Sequence, residues 1–389
     1  MRPVLQRLRL ISWVLPAVVV VGLSACSGTS GDDVKAAGGS STTSTAPGGS
    51  STAPSTGSTA TTTTPGRRGS TGSGKPVTLA FGGDVSFQNQ TAAVAAHPGT
   101  VLSAIAPVLS GADLAMVNLE TALGSGGTPQ NKTFTYQVPA QAVDALRAAG
   151  VDAVTMANNH GKDYGPVGFQ DTLRIKESTG FPILGIGADE DQAYSPLVKE
   201  VNGQRIGILA ASDIFDDNLR AGWLATATQP GLASAEEDHQ ARLLQAVDAT
   251  RKEVDTLVVY LHMGTEKQLC PNQRQKDLAR VLTEHGVDIV IGSHPHRLQG
   301  MGYLGDKFVA YSMGNFVFKA NSPDGAATGV LLVTATGRRI DGFEFKPAVI
   351  RNTIPYPLSG SAAQAALTTM DQRRACSGLT ATAGAGTAG

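Results

Sequence analysis

Apolar runs of about five residues recur along the middle of the chain, and each ends in a polar cluster. Residues 77–81 run into Gly82-Gly83-Asp84, 114–117 into Asn118-Leu119-Glu120, and 151–156 into Ala157-Asn158-Asn159-His160. Farther on, 256–261 runs into His262-Met263-Gly264-Thr265-Glu266, and 287–291 into Gly292-Ser293-His294-Pro295-His296. Runs of this kind suit short strands. Helical spacing is predicted between them, over 100–110, 140–149, 165–178, 233–253 and 272–284. From residue 300 the pattern changes to consecutive strands at 307–311, 329–335 and 339–350. Alternating elements followed by a run of strands predict an α/β fold. In open α/β sheets the carboxyl ends of strands face the ligand crevice. The polar clusters should therefore converge on one rim.

Composition marks the limits of this region. Gly and Pro total 46 and 20, and much of that excess falls in a stretch of Ser, Thr, Gly, Ala and Pro after Cys26. Such a stretch has no apolar face to offset the entropy of ordering. Residues 26–75 thus read as a flexible linker and 76–358 as one domain, long enough to bury a core. Residues 359–389, again rich in small side chains, read as a low-complexity mobile tail. Residues 1–25 read as a signal peptide: Arg2, Arg7 and Arg9 precede an apolar stretch over 10–23, short of the roughly 20 residues a spanning helix needs. Leu23-Ser24-Ala25-Cys26 resembles a lipobox, which would make Cys26 the lipidated first residue of the mature chain. An ordinary signal peptide and a retained anchor are the alternatives, and all three export the domain. The expected location is the extracytoplasmic face of a bacterial membrane. With 31 basic and 32 acidic residues, the chain lacks the positive field of a nucleic-acid-coating protein. Its three cysteines exclude a disulfide-dense scaffold. Cys270 and Cys376 could pair outside the cell, tying the C-terminal segment near the His262 cluster, or remain free thiols.

The polar rim is a set of metal-ligand types. Imidazole and carboxylate together suit zinc, manganese or iron. Asp84 and Glu120 could bridge two cations. His294 and His296 flank a proline, and an extended strand end would turn both imidazoles to one side. Two cations can clamp an anionic substrate and activate water.

Gly83-Asp84-Val85, Asn118-Leu119-Glu120, Ala157-Asn158-Asn159-His160 with Asp163 and Gly165, His262 to Glu266, Gly292 to His296, and Tyr311-Ser312-Met313-Gly314-Asn315-Phe316 together resemble the CapA family. These are bacterial capsule-synthesis or poly-gamma-glutamate-biosynthesis proteins, similar to the calcineurin-like metallophosphatases. The resemblance implies a four-layer α/β/β/α sandwich with two divalent metal ions, manganese, iron or zinc. It implies Asp84, Glu120, Asn159, His262, His294 and His296 as ligands and His160 as general acid. Asp163 and Glu266 become catalytic candidates, and Lys132, Arg297 and Asn315 substrate contacts. The metallophosphatase pattern Asp-x-His is here Asp84-Val85-Ser86, so one metal lacks an imidazole; Glu120 replaces the usual bridging Asp.

Two function classes follow. One is an exported metal-dependent hydrolase or transferase acting on a cell-surface polymer or phosphoester. The other is a non-catalytic protein that binds or tethers an anionic polymer during capsule assembly, alongside other capsule-synthesis proteins. A nucleotidase is disfavoured because no aromatic clamp for a base is visible in the sequence.

Overall fold

The computed structural model describes residues 74–384. The expected signal peptide, the lipidated Cys26 and nearly all of the linker lie outside these residues. The described part is built on two large sheets, as the alternation of apolar runs requires. An eight-stranded sheet runs Ile354–Pro357, Arg339–Arg351, Ala327–Thr336, Val77–Val85, Leu114–Leu119, Ala153–Thr155, Ile183–Leu184, with Asn315–Val317 also paired to Val77–Val85. A six-stranded sheet runs Met301–Leu304, Lys307–Ala310, Ile289–Ser293, Thr256–His262, Gln204–Ser212, Leu197–Val201.

Period-two alternation divides the core into three apolar clusters. Leu79 and Phe81 of one sheet meet Val258 and Tyr260 of the other in a central cluster. Ala80, Val117 and Val154 face the opposite way, against Leu146 and Phe169 of helices Ala142–Ala148 and Gly165–Thr179. On the far side, Leu257, Val259 and Leu261 pack with Leu243, Val247, Leu278 and Leu282 of helices Gln240–Arg251 and Gln273–Glu284. The sheets therefore share one interior, and helices cover their outer faces. The α/β class expected from the sequence is the class observed.

Strands Val77–Val85, Leu114–Leu119 and Ala153–Thr155 are parallel neighbours, with Asp84 opposite Asn118 and Asn118 opposite Thr155. Thr256–His262 and Ile289–Ser293 are parallel in the other sheet, with His262 opposite Ser293. The polar strand ends accordingly gather on one rim. Gly83 permits a close crossing there: a Cβ on it would lie 1.9 Å from the Gly314 oxygen, where Asp84 N–H donates to that same oxygen at 2.9 Å.

Three local expectations change. The helix expected over 100–110 is two short ones, Pro98–Val101 and Ala106–Leu109, because Pro107 cannot continue a helix from within. The helix expected from 233 begins at Gln240, because Gly231–Leu232 pairs with Ile186–Gly187 and Ala235 N–H bonds the Ser212 carbonyl. The domain does not end at 358. Residues 359–389, expected to be a mobile tail, begin with helix Gly360–Ala375, which buries Met370 and Arg373. Cys376 at its end is disulfide-bonded to Cys270.

Candidate metal centre

Each polar side chain of the rim stands at or just past a strand end. Asp84 is fully buried, and its Oδ1 accepts a hydrogen bond from Asn118 Nδ2 at 2.8 Å. The same Asn118 amide lies 3.2 Å from His262 Nδ1, in the other sheet. Asn118 Oδ1 accepts from Asn158 Nδ2 at 2.9 Å. Asn158 Oδ1 in turn accepts the His160 N–H at 3.0 Å. A chain of amides thus links four strand ends and two histidines, His160 and His262. Sequence reasoning places Asn118 and the Asn158-Asn159 pair on the rim but assigns Asn118 and Asn158 no role. A signal is present all the same, since Asn118 and Glu120 alternate along one face of the strand end.

Glu120 is at the middle. It is fully buried, and neither carboxylate oxygen accepts a hydrogen bond. Its Oε1 lies 3.5 Å from His262 Nε2 and 3.9 Å from His296 Nε2. Burial, reinforced by Asp84, pushes its carboxyl well above the usual range. Two triads share this residue. The ligand atoms of Glu120, His262 and His294 all lie within 4.8 Å of one another, as do those of Asp84, Glu120 and His296. Asn159 joins the first group, with Oδ1 2.9 Å from His262 Nε2.

The hydrogen-bonding state of these groups fits a divalent cation. A buried carboxylate without donors is costly unless a cation meets it. His294 Nδ1 is likewise buried without a partner. Burial, helped by His296, lowers His294 to about 3 and lowers His262 well below the usual range. Both rings are therefore neutral, the form that ligates metal. Burial opposes charge on His296 as well, but Glu120 and Asp84 outweigh it and raise that ring to about 9. His296 Nδ1 contacts Asn315 Oδ1 at 2.9 Å and Asp84 Oδ2 at 3.2 Å.

The histidine pair reaches the site differently from the extended strand end expected. The strand ends at Ser293, and His294 and His296 have φ of +97° and +52°. Both occupy the left-handed region that side chains with a Cβ disfavour. The turn, not strand alternation, brings the two rings to 6.0 Å, centroid to centroid.

Beside the triads is a second arrangement. His160 Nδ1 lies 2.6 Å from Asp163 Oδ2, and burial lowers the pKa of this ring. Asp163 also accepts the Tyr136 N–H at 2.7 Å and pairs with Lys132 at 3.1 Å. Lys132, expected to touch substrate, is instead consumed internally. Its side chain is buried, pairs with Asp216 at 2.8 Å, and donates to the Asn159 carbonyl. It braces Asn159 and Asp163.

A cavity of about 320 Å³ opens over His160 and His296. Glu266 and Arg297 line it, and Asn315 forms part of its floor. Sequence reasoning missed Lys267 and Lys319, which join Arg297 as cations on its wall. It also found no aromatic clamp, yet Phe134, Tyr136 and Phe318 line this cleft. Phe134 and Tyr136 lie two residues apart, but Phe318 comes from a distant segment, so no local pattern marks the three together.

A family model described as "Bacterial capsule synthesis protein PGA_cap" matches residues 78–320, the stretch that carries all of these ligand positions. The chain is 29% identical over 249 residues to the "Capsule biosynthesis protein CapA" of Bacillus anthracis, covering 62% of this chain and 60% of that protein. It is 28% identical over 291 residues to the "PGA biosynthesis protein CapA" of Bacillus subtilis (strain 168), covering 72% of this chain and 74% of that protein. The alignment thus spans about 60% of the length of the Bacillus anthracis relative. Among solved structures, a hypothetical protein from Thermus thermophilus superposes with a TM-score of 0.44 at 15% identity, covering 69% of this chain and 98% of that one.

Proposed function

Because this chain belongs to the bacterial capsule synthesis protein family, we propose that it acts on an anionic cell-surface polymer through a metal-dependent, hydrolase-type centre. In this reading the domain is exported and held by lipidated Cys26 at the extracytoplasmic face of the membrane, a placement supported by the N-terminal sequence alone. The observation that carries the chemistry is Glu120, a buried carboxylate with no hydrogen-bond donor, shared by two ligand triads.

Asp84, Glu120 and His296 would hold one divalent cation; Glu120, His262 and His294, with Asn159, would hold a second. When bound, such a pair supplies Lewis-acid polarisation of an anionic substrate and a nucleophile at neutral pH. The protein's own groups supply positioning and proton transfer. Asp163 accepts the Nδ1 proton of His160 and so leaves Nε2 as the acceptor. A neutral ring in that tautomer would take up at Nε2 the proton lost by the attacking water and give it to the leaving group. Lys132 holds Asp163 and the Asn159 carbonyl in place. Lys267, Arg297 and Lys319 give the cleft a positive wall for an anionic chain.

The test begins with elemental analysis of the full chain beside a His294→Ala/His296→Ala variant. About two manganese, iron or zinc ions per chain, lost in the variant, are expected. Metal in neither protein after reconstitution would sink the centre. A His160→Ala variant that keeps its metal should then lose hydrolysis of phosphoester or polyglutamate substrates by about 10²–10⁴-fold. Full turnover in that variant would remove His160 from the chemistry. No turnover by either protein would leave polymer binding as the function.

A further inference from the structure

The matched family region ends at residue 320, but the structure carries a helix beyond it, Gly360–Ala375, back to the rim. Its Arg373 is 7% exposed and spans two elements that border the cleft. Nη1 donates to the Leu298 carbonyl at 2.7 Å, two residues after His296. Nη2 meets Asp324 Oδ1 at 2.8 Å, in the short helix Pro323–Ala326. In that helix the Gly325 carbonyl accepts Asn315 Nδ2 at 2.9 Å, and Asn315 Oδ1 contacts His296 Nδ1. One guanidinium therefore holds the segment that leaves the His294–His296 turn through the Leu298 carbonyl, and reaches His296 through the helix that anchors Asn315.

The end of the helix grips the same turn from the other side. Cys376 is bonded to Cys270, on loop 264–272. Gln299 Nε2 donates to the Gln268 and Cys270 carbonyls, each at 3.1 Å. Lys267 N–H, in the same loop, donates to the Pro295 carbonyl at 2.8 Å, between the two histidines. His294 and His296 both carry positive φ. Strained residues of this kind persist only where the surroundings over-determine them.

We propose that helix Gly360–Ala375 is a strap that holds the His-Pro-His turn in ligating geometry, with Arg373 as its positioning residue and the Cys270–Cys376 bridge as its lock. Cys270 is exposed, so a thiol reagent can reach the bridge. Attack by a dithiol breaks the S–S bond, leaves two protein thiols and oxidises the reagent to its own disulfide. The effect on metal rests on the function proposed above. The effect on the turn does not.

Hydrogen exchange on the full, metal-free chain separates the two. Arg373→Met should speed exchange in residues 264–272 and 294–299 by about tenfold, with strand Thr256–His262 unchanged. Arg373→Lys should recover part of the protection. Dithiol treatment should loosen 264–272 more than 294–299, because the bridge holds the first loop directly. With cobalt(II) added, the visible spectrum of Arg373→Met should differ from wild type and return toward it in Arg373→Lys. Unchanged exchange in both loops would overturn the strap, and so would uniform loosening of the whole domain. If wild type takes up no metal but the loops respond, the strap stands and the metal centre falls. If metal binds and the loops do not respond, the strap alone falls.

Discussion

The two sheets bring different chemistry to one rim. The eight-stranded sheet ends in oxygens and amides: Asp84, Asn118, Glu120, Asn158 and Asn159. The six-stranded sheet ends in imidazoles: His262, His294 and His296. Neither sheet alone holds either ligand triad, since each triad takes residues from both. The backbones differ as well. His262 ends its strand and Asp84 stands one residue from the end of another, beside a break in its pairing register, whereas His294 and His296 sit in a left-handed turn. The acid half is set by pairing within a sheet. The imidazole half depends on how the second sheet is placed and on what holds its last turn. A centre assembled in this way joins two layers, so metal should stabilise the fold as well as serve chemistry.

Glu120→Gln should break the comparison most completely, because this residue belongs to both triads. Wild type at metal concentrations of about 100 Kd should gain about 2.7 kcal/mol per bound ion. The variant should gain almost nothing. Without metal the order reverses, and the variant should be the more stable by about 1–3 kcal/mol, since it has no carboxyl that burial forces to stay protonated above its ordinary range. The sign follows from the raised pKa of Glu120. The metal-free wild type should lose stability as pH rises past the ordinary Glu range, because the unfolded chain ionises first. The variant should lack that component. Thermal unfolding with chelator and with manganese reads all of these outcomes. A full metal-induced shift in the variant would show that Glu120 is not a shared ligand.

Asn118→Ala tests the link between the halves with its ligands left in place. The Asn118 amide touches Asp84 in one sheet and His262 in the other. Loss of such an outer partner commonly lowers metal affinity about 10–100-fold. Metal titration should show that drop while about two ions still bind at saturation. An unchanged affinity would mean that the two halves orient their ligands independently.

The acid half was the more legible in sequence, for a physical reason. Asp84, Glu120 and Asn159 follow apolar runs directly, and parallel pairing carries such ends to one edge. The His-Pro-His motif was equally visible, but its geometry was not. Nothing in the local pattern shows that a strand stops at Ser293 and that two histidines then take positive φ. That outcome depends on contacts from Asn315, Leu298 and Pro295, which lie on other segments or are themselves held by them. The C-terminal helix was the least legible. Its side chains are mostly small, and only Met370 and Arg373 are buried. It is held by an arginine and a disulfide rather than by an apolar stripe, so periodicity had nothing to detect. Lys132 shows the same limit at a single residue. A lysine near a site reads as a substrate contact until its two aspartate partners are located.

Tyr260→Phe should have the smallest effect, and it tests sheet placement with every ligand left in place. The Tyr260 ring is fully buried in the cluster shared by both sheets, and its hydroxyl donates to the Gly82 carbonyl at 2.7 Å, across the interface. Phenylalanine keeps the ring and removes the donor, which leaves a buried carbonyl short of one partner. The expected cost is about 1–2 kcal/mol of unfolding free energy. No ligand atom changes, and the apolar cluster that sets the distance between sheets is intact. Metal affinity should therefore fall less than about threefold, well short of the drop expected for Asn118→Ala. Paired denaturation and metal titration check both numbers. If Tyr260→Phe weakens metal as much as Asn118→Ala does, the hydrogen bond to Gly82 is setting the position of Asp84 two residues on. The acid half would then depend on the second sheet as much as the imidazole half depends on its turn.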